Sequence, residues 1–183
     1  MFSSRNRIKL GMLISIIAVA LFGGGCAMNA RPEKMTPCSF GLVNKHPQTV
    51  SLHVFGGGPS GFNHPTEISD ADFLSALTKA VQESQVFSQI AADSDAAYIL
   101  TVNIAYSANK DVGFDMKDTL TATWELRSTH PNGVVWKDII TTDFTSKFGD
   151  ALDGGKRFRL AREGAARKNI QTGLQEISAL ELD

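Results

Sequence analysis

The sequence predicts an α+β fold, with an antiparallel sheet of four to five strands and two helices packed on one face. Three long segments beyond residue 96 alternate apolar and polar side chains, and two other segments repeat apolar residues at helical spacing. A strand with one apolar and one polar face is typical of an antiparallel sheet that is covered on one side. Runs of strands and helices, without regular βαβ alternation, favour α+β over a parallel α/β sheet.

The first 25 residues have the order of a cleaved export signal. Arg5, Arg7 and Lys9 form a basic head, residues 10–22 carry no charge, and three glycines then end the apolar run. The uncharged run is shorter than the roughly 20 residues that a membrane-spanning helix needs. We therefore predict that residues 1–25 are a signal peptide.

The segment Leu21-Phe22-Gly23-Gly24-Gly25-Cys26 resembles the lipobox of bacterial lipoproteins, although Gly23 stands where that family usually has a Leu-like residue. The resemblance implies that Cys26 is acylated and becomes the mature N-terminus. Ala27, by resemblance to enterobacterial sorting, implies the outer membrane, with the domain facing the periplasm. Ordinary cleavage after Ala27, with Gly25 and Ala27 as the small pair, stays open as the alternative.

The composition after residue 25 fits one domain, which we place at residues 38–183. Removing the three basic residues of the leader, which holds no acidic ones, changes the net charge from −1 to −4. That balance argues against nucleic acid as a partner. Residues 26–37, with two prolines and no apolar period, are predicted to be the lipidated N-terminus and a tether. Cys38 is then a lone thiol, which we expect to be buried.

The first half of the domain is predicted to contain two short strands and a helix. The strands fall within residues 38–55, split at residues 44–47, and a glycine-rich loop follows over residues 56–61. Ser69 with Asp72 three places later has the pattern of a helix start, and the helix should run to about Val86.

Three strands and a second helix make up the rest. The apolar positions of the first two strands are Tyr98, Leu100, Val102, Ile104, Tyr106, and Leu120, Ala122, Trp124, Leu126. Residues 130–133 form a turn, and the third strand carries Trp136, Ile140, Phe144 and Phe148. The pairs Val134-Val135 and Ile139-Ile140 break the alternation and predict a bulge. The second helix should run from near Lys156 to about Ala179.

This order is similar to that of small periplasm-facing lipoproteins of the YajG type. The similarity lies in a helix with Asp72-Phe73-Leu74 and Ser84-Gln85-Val86-Phe87, the strand segment Ala97-Tyr98-Ile99-Leu100-Thr101-Val102, two further strands and a closing helix. It covers most of the chain after the signal, and it implies a place and a shape rather than an activity.

Residues with catalytic or ligand chemistry do not form a recognisable set. His46, His64 and His130 each precede proline, and His53 lies on the polar side of a strand, so no zinc-ligand spacing results. No Gly-x-Ser-x-Gly motif is present, and residues 56–61 lack the Gly-Lys-Ser/Thr of a phosphate loop. The acids without calcium-loop spacing are expected to be solvated: Asp111, Asp115, Asp118, Asp150 and Asp153. We predict no enzyme, no metal and no cofactor.

Four cations gather where the second helix begins: Lys156, Arg157, Arg159 and Arg162. Cations at a helix N-terminus oppose the helix dipole, which leaves two interpretations. Either Glu163 and the nearby acids neutralise them, with Arg159 and Arg167 as the partners of Glu163, or they form a patch for an anionic partner.

The function predicted from these patterns is that of a non-catalytic lipoprotein of the cell envelope. We expect an accessory or assembly factor, held at the membrane by its N-terminal lipid, that binds an envelope protein. The alternative is a lipid or glycolipid carrier between membranes. A pocket lined by the aromatic residues would favour the carrier, whereas a close-packed core would favour the partner-binding protein. These aromatic residues are Tyr98, Tyr106, Trp124, Trp136, Phe144 and Phe148.

Overall fold

The computed structural model describes residues 30–58, 68–112 and 114–182. The predicted signal peptide, Cys26, residues 59–61 of the glycine-rich loop and His64 lie outside these residues. In chain order the elements are helix α1 (Pro32–Met35), strand β1 (His46–Phe55), helix α2 (Asp70–Ser84), strands β2 (Phe87–Ile90), β3 (Tyr98–Val112), β4 (Asp115–Thr129) and β5 (Asn132–Ser146), a 3₁₀ turn (Phe148–Asp150) and helix α3 (Gly154–Ser178).

The fold is α+β, and its single five-stranded sheet has the order β2-β1-β3-β4-β5. Strands β3, β4 and β5 form an antiparallel meander of long strands. Strand β1 pairs in parallel with both of its neighbours, β2 and β3. The predicted α+β class and the mostly antiparallel, five-stranded sheet are therefore confirmed, and the departure is at β1, whose parallel pairing makes the sheet mixed.

The parallel part arises from a crossover that the sequence analysis missed. One strand, β1, occupies the segment where two short strands were predicted, and α2 carries the chain from its end to β2. Strand β2 has only four residues, of which Phe87 alone is fully buried, so it lacks an alternating pattern. Pro47 is tolerated because it lies at the start of β1.

Both long helices start with the caps that their sequences indicate. The hydroxyl of Ser69 accepts a hydrogen bond from the backbone N–H of Asp72 at 3.0 Å, and the carboxylate of Asp153 accepts one from Lys156 N–H at 2.7 Å. Such caps satisfy N–H groups that have no partner within the helix. Helix α2 ends at Gln85, which takes the left-handed conformation with φ 56°. The predicted helix starts are thus confirmed.

The core lies between the helices and the sheet face that carries Leu100, Val102, Leu120 and Trp124, all fully buried. A Cβ on Gly173 of α3 would lie only 2.7 Å from the Trp124 ring, so helix and strand are in close contact. The indole N–H donates to Asn169 Oδ1 at 2.9 Å, which satisfies the ring's polar atom within the core. The predicted inward faces of β3, as far as Ile104, and of β4 are confirmed; the side chain of Tyr106 lies outside the described residues.

Strand β5 departs from its predicted pattern at both ends. Near its start, Leu126 pairs with Trp136 but Arg127 pairs with Val134, which places the predicted bulge at Val135. At its end, Phe148 has left the strand for the 3₁₀ turn and is 49% exposed, so its assignment as an apolar member of the strand was wrong.

Residues 30–37 belong to the domain and are not a tether. Pro32 begins α1, where the missing N–H of proline costs nothing, and Met35 is completely buried in the core. One of the two prolines that indicated a tether, Pro32, therefore belongs to a helix start. Cys38, which was expected to be buried, is exposed, because the chain turns outward after Pro37.

Candidate functional site

The four cations predicted to form a surface patch do not form one. Arg157 and Arg162 are only 6% and 3% exposed. The Arg159 side chain is 12% exposed, so Lys156 alone of the four is open to solvent. The interpretation as an anionic-partner patch is therefore wrong, because the guanidinium groups are directed to separate partners inside the domain.

Arg162 forms a buried ion pair with Asp118. Its Nε lies 2.7 Å from Asp118 Oδ2, and the Asp118 side chain has no exposed surface. Asp118 was expected to be solvated, yet its position on β4 is in phase with the inward-facing Leu120 and Ala122. That phase was visible in the sequence, and it was the signal that could have found the pair.

Glu163, on α3, is the second buried acid next to this cluster. Its Oε1 lies 3.6 Å from Arg159 Nε and accepts the backbone N–H of Arg31 at 3.0 Å. Burial raises the pKa of Glu163, and the hydrogen bond from Arg31 and the charge of Arg159 oppose that rise. Internal neutralisation of the cluster is thus found for Arg159 and Arg162. The other predicted partner of Glu163, Arg167, instead donates to Lys34 O at 3.0 Å.

Arg157 binds carbonyl oxygens and an aromatic ring. One of its terminal nitrogens donates to Ala151 O at 2.6 Å and to Leu152 O at 3.0 Å, and its guanidinium lies 5.1 Å from the centre of the Phe148 ring. These contacts hold the loop between β5 and α3, and they direct the charged guanidinium of Arg157 away from solvent.

The N-terminal strap, residues 30–45, runs alongside α3 in the same direction as the helix. Arg31 contacts Glu163 and Lys34 contacts Arg167, while Val43 N–H donates to the hydroxyl of Ser178 at 3.0 Å. Asn44 N–H then donates to Ser178 O at 3.1 Å. The strap thus covers the helix from its first half to its C-terminus, where it supplies a donor to the Ser178 carbonyl, which has no partner within the helix.

Exposed apolar side chains gather at the end of the domain where α3 begins. This apolar tip consists of Phe114, Phe148 and Leu152, which are 77%, 49% and 88% exposed. The two phenyl rings meet edge to face with centres 5.6 Å apart. Phe148 is held there because its N–H donates to the carboxylate of Asp115 at 2.8 Å. Exposed apolar groups this close together are uncommon on a soluble surface and point to an interaction.

The distal groove lies at the opposite end of the sheet, around the β4–β5 turn. It is lined by Tyr98, His130, Val135 and Leu182 among others, with a volume of about 400 Å³. The proposed aromatic pocket is not found among the described side chains: Trp124 and Tyr98 are packed in the core, and Phe148 is on the surface. Trp136 and Phe144 are partly buried against the same core.

Metal-ligating side chains do not cluster in the part of the chain that the structure describes. Within it, no three His, Cys, Asp or Glu side chains lie close enough together to hold a metal ion. His53 pairs with Asp93 at 2.9 Å on the surface, and buried His46 contacts Ile177 O at 3.0 Å. None of the described helices has the length and apolar character needed to cross a membrane.

Comparison with known proteins places the fold but not the activity. No protein-family model matches the chain, and no curated protein is similar enough in sequence to match it. Among solved structures, the hypothetical protein CT253 from Chlamydia trachomatis has a TM-score of 0.55 at 8% identity, covering 72% of this chain and 96% of its own. Protein XCC0632 from Xanthomonas campestris, of the DUF330 family model, also has a TM-score of 0.55, at 13% identity, with 77% and 88% covered.

A PelC dodecamer from Paraburkholderia phytofirmans matches with a TM-score of 0.50 at 15% identity, covering 78% of this chain and 96% of that one. Further matches include proteins titled as lipoproteins, but their TM-scores lie below 0.5 and add nothing beyond the fold class. At these identities the similarity establishes a shared fold and nothing more.

Proposed function

We propose that the protein is a non-catalytic lipoprotein of the bacterial cell envelope, anchored through acyl chains on Cys26. The observation that carries this proposal is the basic head, uncharged core and glycine stop that end at Cys26. Ala27 favours the outer membrane and a domain that faces the periplasm.

The domain acts, in this proposal, as an accessory or assembly factor that binds another envelope protein. Its support is that the described surface offers a concave region, the distal groove, and that no cluster of metal-ligating side chains lies among the described residues. A lipid carrier has less support, because Gly173 lets α3 approach the Trp124 ring so closely that the described part of the helix–sheet interface is packed there.

The anchor is tested by the intact mass of the mature protein and by its distribution between membrane and soluble fractions. We expect a chain that starts at Cys26 with added lipid mass, and we expect Cys26→Ala to leave the membrane fraction. Cys38→Ala is the matched control, because it removes the other cysteine and should leave membrane attachment unchanged. A mature chain that starts at Met28 without added mass would disprove the anchor.

The partner is tested by photo-crosslinking from the distal groove in intact envelopes. A crosslinking residue at Val135, which is exposed at the groove, should capture a defined envelope protein. The matched control is Ile139, which is exposed on the same strand but does not line the groove. Capture of the same proteins from both positions would remove the support for the groove as the binding region.

A further inference from the structure

We propose that the apolar tip inserts into the same lipid bilayer that holds the acyl chains of Cys26. The domain then contacts the membrane through Phe114, Phe148 and Leu152, and the distal groove is directed away from the membrane. This inference rests on the proposed function, because the lipid on Cys26 is what brings the domain to a bilayer.

The direction of the strap shows towards which end of α3 the N-terminal part of the chain leads. Followed backwards from Asn44 to Lys34 and Arg31, it moves along α3 from Ser178 to Arg167 and then to Glu163. Each step backwards in the strap is thus a step towards the N-terminal end of the helix. The helix begins beside the apolar tip, since Arg157 in its first turn lies over the Phe148 ring.

The chain between Cys26 and the strap is short, and its length limits where the lipid can lie. Cys26 precedes Ala30, the first described residue, by four residues, which can span at most about 14 Å. Along α3, the distance from Glu163 back to Gly154 is about 13 Å at 1.5 Å per residue. The two lengths agree, so a lipid on Cys26 can lie level with the first turn of α3 and hence with the tip.

The chemistry of the tip fits a bilayer interface. Phenyl and leucyl side chains are the groups that enter the boundary between headgroups and acyl chains. The acids beside them are engaged with the backbone: Asp115 accepts Phe148 N–H, Asp150 accepts Lys147 N–H and Asp153 accepts Lys156 N–H. The side chains of Lys147 and Lys156 are exposed next to the tip, where an ammonium group meets lipid phosphates.

The test measures how deeply the tip enters the membrane in the complete lipidated protein. Cys38 is replaced by Ser, Leu152 by Cys, and the new thiol is labelled with a fluorophore; the Cys26 thiol is blocked by its lipid. The protein is placed in phosphatidylethanolamine–phosphatidylglycerol vesicles whose acyl chains carry bromine, a contact quencher. The matched control is Val134→Cys, exposed near the other end of β5, roughly 40 Å away at 3.3 Å per residue.

We expect the Leu152 probe to lose about half of its fluorescence or more, because a group at the interface lies about 5–10 Å deep and meets the brominated acyl chains. The Val134 probe should keep nearly all of its fluorescence, because it lies far outside that depth. A second probe, at Phe114→Cys, should be quenched to a similar extent as the Leu152 probe. Equal quenching at the tip and at Val134 in a lipidated, vesicle-bound protein would overturn insertion and leave the anchor intact. Tip probes shielded from water but not quenched would also overturn it, since a second protein copy would then cover the tip. A chain without lipid that stays out of the vesicles would instead overturn the proposed function.

Discussion

The buried ion pair between Asp118 and Arg162 allows a quantitative test of how the domain is held together. Asp118→Asn keeps the shape of the side chain but removes its negative charge. Arg162, which is 3% exposed, then retains a positive charge inside the domain without the carboxylate 2.7 Å from its Nε. Removing one partner of a buried pair costs about 3–5 kcal/mol, mostly because the remaining charge is poorly solvated.

A surface pair that also links β4 to its surroundings provides the control. Lys117 Nζ lies 3.1 Å from Asp143 Oδ2, with side chains 38% and 56% exposed. Water screens such a pair, and its loss in Asp143→Asn should cost only about 0–1 kcal/mol. The two substitutions are chemically identical, so the difference between them reports burial.

Urea unfolding followed by circular dichroism measures the difference. With an m-value of about 2 kcal/mol/M, the Asp118→Asn midpoint should fall by roughly 2 M, and the Asp143→Asn midpoint by less than about 0.5 M. A double variant, Asp118→Leu with Arg162→Met, removes both charges and should recover most of the loss. Equal urea midpoints for the two Asn variants, or a double variant no more stable than Asp118→Asn, would contradict this account of the buried pair.

Three further predictions concern other buried and exposed groups. Burial raises the pKa of Glu163 above its ordinary 4.5, so its contribution to stability is complete below that pH and is lost as the pH rises through the folded pKa. Glu163→Gln should therefore gain stability relative to the wild type between about pH 4 and pH 8 in thermal unfolding. A difference in stability between the two proteins that stays constant with pH would contradict this. Gly173→Ala places a Cβ against the Trp124 ring and should cost about 1–3 kcal/mol in urea unfolding, whereas Gly149→Ala, with open space around it, should cost less than about 0.5 kcal/mol. Cys38, which is exposed, should react with a thiol reagent in the folded protein about as fast as in urea; protection in the folded state would show that it is covered.

The parts of the fold that could be predicted are those whose signal is local. Trp124 stands between Thr123 and Glu125, and this alternation shows which side of β4 is covered. The Ser69 cap likewise lies within three residues of the N–H that it satisfies. Strand β2 could not be found in this way, because its four residues form a strand by pairing in parallel with β1, which is distant in sequence.

The contacts of the candidate site were harder to predict, because backbone groups form many of them. Arg31 binds Glu163 through its N–H, which any residue except proline supplies, and the two residues are 132 positions apart. Phe148 left its strand because Asp150 accepts the N–H of Lys147 at 2.8 Å and turns the chain. Asp118, by contrast, was predictable from its phase on β4, and only its charge argued against an inward position.

The strap also sets an order of events during the folding of a newly made chain. Its contacts to Glu163 and Ser178 join residues that are 132 and 135 positions apart, so the last helix must be present before the first described residues can dock. Contacts that close such long loops are slow to form. In the proposed function the chain is exported N-terminus first, so its strap stays undocked until α3 has followed it. Enzymes that process the N-terminal end would then have this interval in which to reach it, before the helix folds and the strap docks.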